Sequence, residues 1–171
     1  TPGDLDEVDA ALLAKVDDAF DRVGEHLDGC HFRAAIGEAM ELAREANRYL
    51  EEKGPWFQIK EDREAAGTTI YVVLKAIDSL NTLFAPFLPF SSQRLHRYLG
   101  YDDQLFGEQY TQTFEEPGGR VHEALCYDSS QAAGEWKPSE LQPGQTLREP
   151  DPLFESLEEE VIEEERARLG K

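Results

Sequence analysis

Residues 5–55 read LDEVDAALLAKVDDAFDRVGEHLDGCHFRAAIGEAMELAREANRYLEEKGP, and the spacing of their apolar positions decides the fold. Leu5, Val8, Leu12, Val16, Ala19, Phe20, Val23 and Leu27 recur mostly at steps of three and four, which places them on one face of a helix over residues 5–27. His26, Asp28 and Gly29 interrupt the pattern, and Gly29 suits the left-handed residue that closes a helix. A second helix is expected over residues 31–53, burying Phe32, Ala35, Ile36, Ala39, Met40, Ala43 and Leu50. Gly54-Pro55 ends it, because proline cannot continue the hydrogen-bond ladder and restricts the residue before it.

Beyond a short mixed segment, a third helix is expected over residues 62–84 through Ile70, Val73, Leu74, Ile77, Leu80, Leu83 and Phe84, with Pro86 and Pro89 as breaks. A short fourth helix over 91–99 would be capped by Ser91 or Ser92 and stopped by Gly100. Short links between amphipathic helices imply an all-α antiparallel helical bundle over residues 1–100. Residues 101–153 scatter Pro, Gly, Ser and Gln among single aromatics (Tyr101, Phe106, Tyr110, Phe114, Tyr127, Trp136) without a sustained period. They read as an irregular wrap held by aromatic anchors, and a final helix over 152–169 completes an extension, residues 101–171, packed on the bundle.

Composition sets the outer limits. The chain has 171 residues, enough for one folded domain, with 36 acidic against 17 basic side chains and a formal net charge of −19. Such a charge counts against nucleic-acid binding as a prior, since phosphate contacts come from Lys/Arg-rich faces. Lysine is scarce, however, and an acidic, lysine-poor surface is also what adaptation to a salt-rich cytoplasm produces. No apolar run reaches the roughly 20 residues of a membrane span and the N-terminus has no signal-peptide pattern, so a cytoplasmic protein without a membrane partner is expected. Cys30 and Cys126 stand alone, which excludes a disulfide framework or a four-cysteine zinc site.

Catalytic machinery is not visible: there is no Gly-rich phosphate loop, no GxSxG and no HExxH. His26, His31, His96 and His122 form no metal-ligand spacing, so no metal site is expected. Cys30 beside His31 reads as a partly buried structural cysteine, and Glu158–Glu165 as a solvated helix face. The cluster that stands out is ANRYLEEKGPWFQIK, residues 46–60, where Trp56 follows a helix-breaking Gly-Pro with Asn47, Arg48, Lys53 and Lys60 nearby. Two readings fit it: an aromatic platform on which an unpaired base stacks among hydrogen-bond donors, or a tryptophan that plugs the end of the bundle. Residues 44–63 hold five basic and five acidic side chains, a neutral stretch in a strongly negative chain.

That string, followed by LFAPFLPFSSQRLHRYLG at residues 83–100, resembles the C-terminal anticodon-binding helical bundle of methionyl-tRNA synthetases, class I aminoacyl-tRNA synthetases. The helix pair at residues 20–50 and the G-x-x-L-x-x-P-x-P-L-F pattern of Gly144, Leu147, Pro150, Pro152, Leu153 and Phe154 are similar to the same family. The resemblance implies that Trp56 stacks the first base of a CAU anticodon, that Pro55 shapes the pocket, and that Asn47, Arg48 and Lys60 surround it. It implies a methionine–tRNA ligase as the parent, with methionine, ATP and Mg as its ligands and no cofactor in this chain, whose partners are tRNA and a catalytic domain of the same polypeptide. The catalytic signatures and the bundle's opening helix are absent from these residues, so an uncovered apolar groove and self-association through it are expected. The rival reading is a non-catalytic protein-interaction or scaffold bundle.

Overall fold

The computed structural model describes residues 2–156 and 159–169. Three long helices form the bundle: α1 (Glu7–Asp28), α2 (Phe32–Lys53) and α4 (Arg63–Phe84), with the single-turn α3 (Pro55–Gln58) between the last two and α5 (Pro89–Tyr98) after them. Each long helix packs against the other two. Val16 and Val23 of α1, Ala35 and Ala39 of α2, and Val72, Ala76 and Leu83 of α4 are fully buried at their common axis. Each buried Val or Leu contributes about 1.5–3 kcal/mol, and the alanines of α2 let its neighbours approach closely. Asp6 caps α1 by accepting from the amides of Val8 and Asp9, while Asp62 caps α4 through Glu64 and Ala65.

The helices fall where the spacing places them, with their buried stripes rotated. On α2 the buried face is Ala35, Ala39, Leu42, Ala46 and Tyr49, whereas Phe32 and Met40 are exposed. Leu5, which precedes α1, Val8 in its first turn and Ile70 of α4 are likewise exposed. Gly29 is not the left-handed residue (φ −79°); Cys30 takes that role at φ +57° and is exposed, not partly buried. Nor do Ser91 and Ser92 cap α5. Pro89 opens the helix one turn earlier, as its missing N–H allows, and the Ser92 hydroxyl donates to the Asn81 carbonyl (3.2 Å).

Residues 101–153 are not wholly irregular. Strands β1 (Glu108–Glu115) and β2 (Val121–Asp128) form an antiparallel hairpin pairing Tyr110 with Cys126 and Phe114 with His122. Tyr110, Phe114 and Tyr127, expected to anchor a wrap, are exposed on it. The hairpin's base is fixed where the Gly107 amide donates to the Tyr127 hydroxyl (2.7 Å); a Cβ at Gly107 would lie 1.9 Å from the Asp128 carbonyl oxygen. Other parts of the extension do clasp the bundle. The Trp136 indole donates to the Phe20 carbonyl (3.0 Å), and Leu141 is buried. Asp78 of α4 accepts from the hydroxyls of Tyr101 (2.9 Å) and Ser139 (2.5 Å). Burial and then the Asp78 carboxylate raise the Tyr101 pKa. The final helix, α6 (Glu159–Arg168), is shorter than the expected 152–169, and none of its residues is buried, so packing on the bundle is not seen among the described residues. Positions 157 and 158 lie outside them.

Candidate nucleic-acid interface

The corner between α2 and α4 is built by two residues with special backbones. Gly54, at φ +53° and ψ 58°, ends α2 by donating to the Leu50 carbonyl (3.0 Å) and also precedes α3. A Cβ there would lie 3.2 Å from the Phe57 ring, so glycine supplies both the left-handed turn and the space. Pro55 occupies the first position of α3 and is buried. Adjacent positions on a helix diverge by about 100°, so Trp56 and Phe57 cannot share one buried face. Trp56 is 49% exposed and Phe57 67% exposed, their ring centroids 6.1 Å apart at 63°. A plug of the bundle's end would be buried; Trp56 is not.

The turn is pinned from below. The Thr69 hydroxyl of α4 donates to Gln58 Oε1 (3.0 Å), and the Asp62 amide donates to the Gln58 carbonyl (2.7 Å). Lys60 is exposed, forms no ion pair among the described residues, and holds Nζ 5.9 Å from the Phe57 ring centroid. No acidic side chain lies between Pro55 and Lys60.

Lys53 serves a different purpose from the one its position suggests. Its ammonium contacts Asp6 and lies 2.7 Å from Asp9 Oδ1, locking the end of α2 to the start of α1. The Tyr49 hydroxyl donates to the same Asp9 oxygen (2.7 Å). Burial alone would lower the Lys53 pKa, but the hydrogen bonds it donates to Asp6 and Asp9 outweigh it and raise it. The Lys53 hydrogen bond, helped by the Asp9 amide, pulls Asp6 down to about 2. Burial and the Asp9 hydrogen bond push the Tyr49 phenol up.

The structure therefore brings Trp56, Pro55 and Lys60 to one corner and adds Phe57 and Ile59, both exposed. Arg48 is not there: it lines the α1–α2 cleft with Val8, Lys15 and Glu52, its guanidinium 3.8 Å from Glu45. Asn47 is exposed on α2, seven residues before Gly54, or roughly 10 Å along the helix axis. The signal for Phe57 and Ile59 was present in the sequence, as three large apolar residues within four positions after a Gly-Pro break.

Residues 1–124 match the family model described as the anticodon binding domain of methionyl tRNA ligase. The chain belongs to that family. A methionine–tRNA ligase of Thermomicrobium roseum is 53% identical over 170 residues, covering 98% of this chain and 29% of its own length. One from Chloroflexus aggregans is 49% identical over 168 residues, covering 98% of this chain and 28% of its own. A crystal structure of Mycobacterium tuberculosis methionyl-tRNA synthetase bound by methionyl-adenylate aligns with TM-score 0.67 at 26% identity, over 91% of this chain and 26% of that one. The chain thus spans less than a third of these relatives. Membership in the methionyl-tRNA ligase family favours an anticodon-binding domain over a scaffold bundle, and the mostly helical fold with one small hairpin agrees with it. Among the described residues no helix is long and apolar enough to cross a membrane.

A second feature is apolar. Met40, Ala43, Ile77, Leu80, Phe84, Leu88, Leu95, Leu153 and Phe154 line a groove of 320 Å³ between α2, α4, α5 and the extension. An uncovered apolar groove was expected, and α1 contributes nothing to this one.

Proposed function

We propose that this chain holds the CAU anticodon loop of methionine tRNA, with the first base stacked on Trp56 over the Pro55 floor and Lys60 supplying a cation to the RNA backbone. The observation that carries this reading is the half-exposed tryptophan on a pinned Gly-Pro turn, beside a lysine with no ion pair among the described residues, in a chain of the anticodon-binding family. Its contribution is binding and positioning: gripping the loop sets the distant acceptor end in the catalytic domain. Asn47, exposed on α2, and Arg48, in the α1–α2 cleft, are assigned supporting contacts to the RNA away from the corner itself. Residues 1–100 act as the RNA-binding bundle and 101–171 as its extension. The parent is a cytoplasmic methionine–tRNA ligase whose methionine, ATP and Mg bind outside this chain; one relative's structure holds methionyl-adenylate. The isolated chain self-associates through its apolar groove.

The test is Trp56→Ala in the intact ligase. Aminoacylation of tRNA bearing CAU should fall about ten- to a hundredfold, while methionine activation by ATP without tRNA stays unchanged. Equal losses in both reactions would refute the assignment.

A further inference from the structure

We propose that Phe57 and Lys60 form a second nucleotide subsite beside Trp56, which takes the neighbouring base of the same strand in an unstacked state. The inference rests on the reading of Trp56 as a stacking platform and extends it to a residue to which no role has been given. Phe57 shows 67% of its surface to solvent although it sits two residues from a buried proline, on a turn held at 2.8 Å by its own amide and the Gly54 carbonyl. The Gly54 backbone leaves room for the ring, so the platform is already in place before any ligand arrives.

The angle between the rings makes the proposal specific. A base stacks parallel to the ring that carries it, so bases on Trp56 and Phe57 inherit the 63° between those rings and cannot stack on each other. A duplex or a continuously stacked strand does not fit both platforms. Single-stranded loop RNA with splayed bases does, which is the form in which sequence is read in RNA. Lys60 Nζ, 5.9 Å from the Phe57 centroid and exposed, stands within reach of the phosphate adjoining a base on that ring. Recognition is therefore of a dinucleotide step, one base on each ring and one phosphate on Lys60.

The experiment titrates the intact ligase with a hairpin RNA carrying a CAU loop, and with two versions in which one or the other nucleotide flanking the Trp56-bound base is abasic. Phe57→Ala should weaken binding of the complete loop on the order of tenfold. On one of the two abasic RNAs that loss should vanish, which identifies the base. Phe57→Leu, which keeps the apolar bulk without a π-face, should lose as much. Lys60→Gln should lower the slope of log affinity against log salt by about 0.7, the share of one single-strand phosphate. If Phe57→Ala binds like the unmodified protein, or loses the same factor on both abasic RNAs, the subsite is overturned while Trp56 stands. No loss with Trp56→Ala would overturn the reading on which the subsite rests.

Discussion

Replacing Asp9 by alanine should unlock the α1–α2 junction beside the corner. Asp9 is 3% exposed and meets three groups at once: the Tyr49 hydroxyl at 2.7 Å, the Lys53 ammonium at 2.7 Å and the Asp6 amide at 3.1 Å. Losing the acceptor of a buried hydroxyl paired with a charge costs about 1.5–3 kcal/mol, and losing half of the capping box adds about 0.5–1 kcal/mol. Lys53 keeps Asp6, so the upper range for a broken buried pair, about 5 kcal/mol, is not reached. The sum is about 3 kcal/mol, or roughly 6–12 °C in Tm for a chain of this size, read by far-ultraviolet circular dichroism. A drop under about 2 °C would show that the network adds nothing. The acid arm has a defined sign. Asp6 is held at about 2 against 3.8 unfolded, so its contact with Lys53 stabilises fully above pH 4 and fades as pH falls toward 2. Lys53→Met should remove that part of the acid sensitivity.

Cys30→Gly should raise stability by about 0.5–1 kcal/mol, since glycine adopts φ +57° without the strain of a Cβ; no change in Tm would place the strain elsewhere. With a net charge of −19, Tm should climb markedly between low and molar KCl as the screening length shrinks to about 3 Å, and a flat curve would remove salt adaptation as the reason for the acidity. The isolated chain should associate in sedimentation equilibrium, more so at high salt, and Leu88→Glu in the groove should abolish it. A monomer at high concentration that binds no hydrophobic dye would refute this.

The long helices were legible because a period of three to four survives in α1, α2 and α4 and because Gly54-Pro55 punctuates them. Which face turns inward was less so: periodicity marks a stripe, but Phe32 and Met40 lie at its edge and the alanines at its centre. The hairpin went unread because its aromatics were taken one at a time. The alternation Tyr110, Gln112, Phe114, together with the Pro117-Gly118-Gly119 turn, carries a strand signal that helical spacing conceals. At the candidate site, Trp56, Pro55 and Lys60 came from local sequence. What Lys53 and Arg48 face was not legible locally, because it is set by the fold: Asp6 and Asp9 for Lys53, up to 47 residues away in the chain, and the α1–α2 cleft for Arg48. Phe57 was passed over because one aromatic already filled the expected role.

The central claim is that the Trp56 indole serves RNA rather than the core, and one variant separates the two. Melting temperature and affinity for the CAU hairpin should be measured on the same preparation of the intact ligase bearing Trp56→Ala. With Trp56 49% exposed, the change in Tm should be small, and affinity should fall about ten- to a hundredfold. A large fall in Tm with affinity intact in the folded protein would contradict the account.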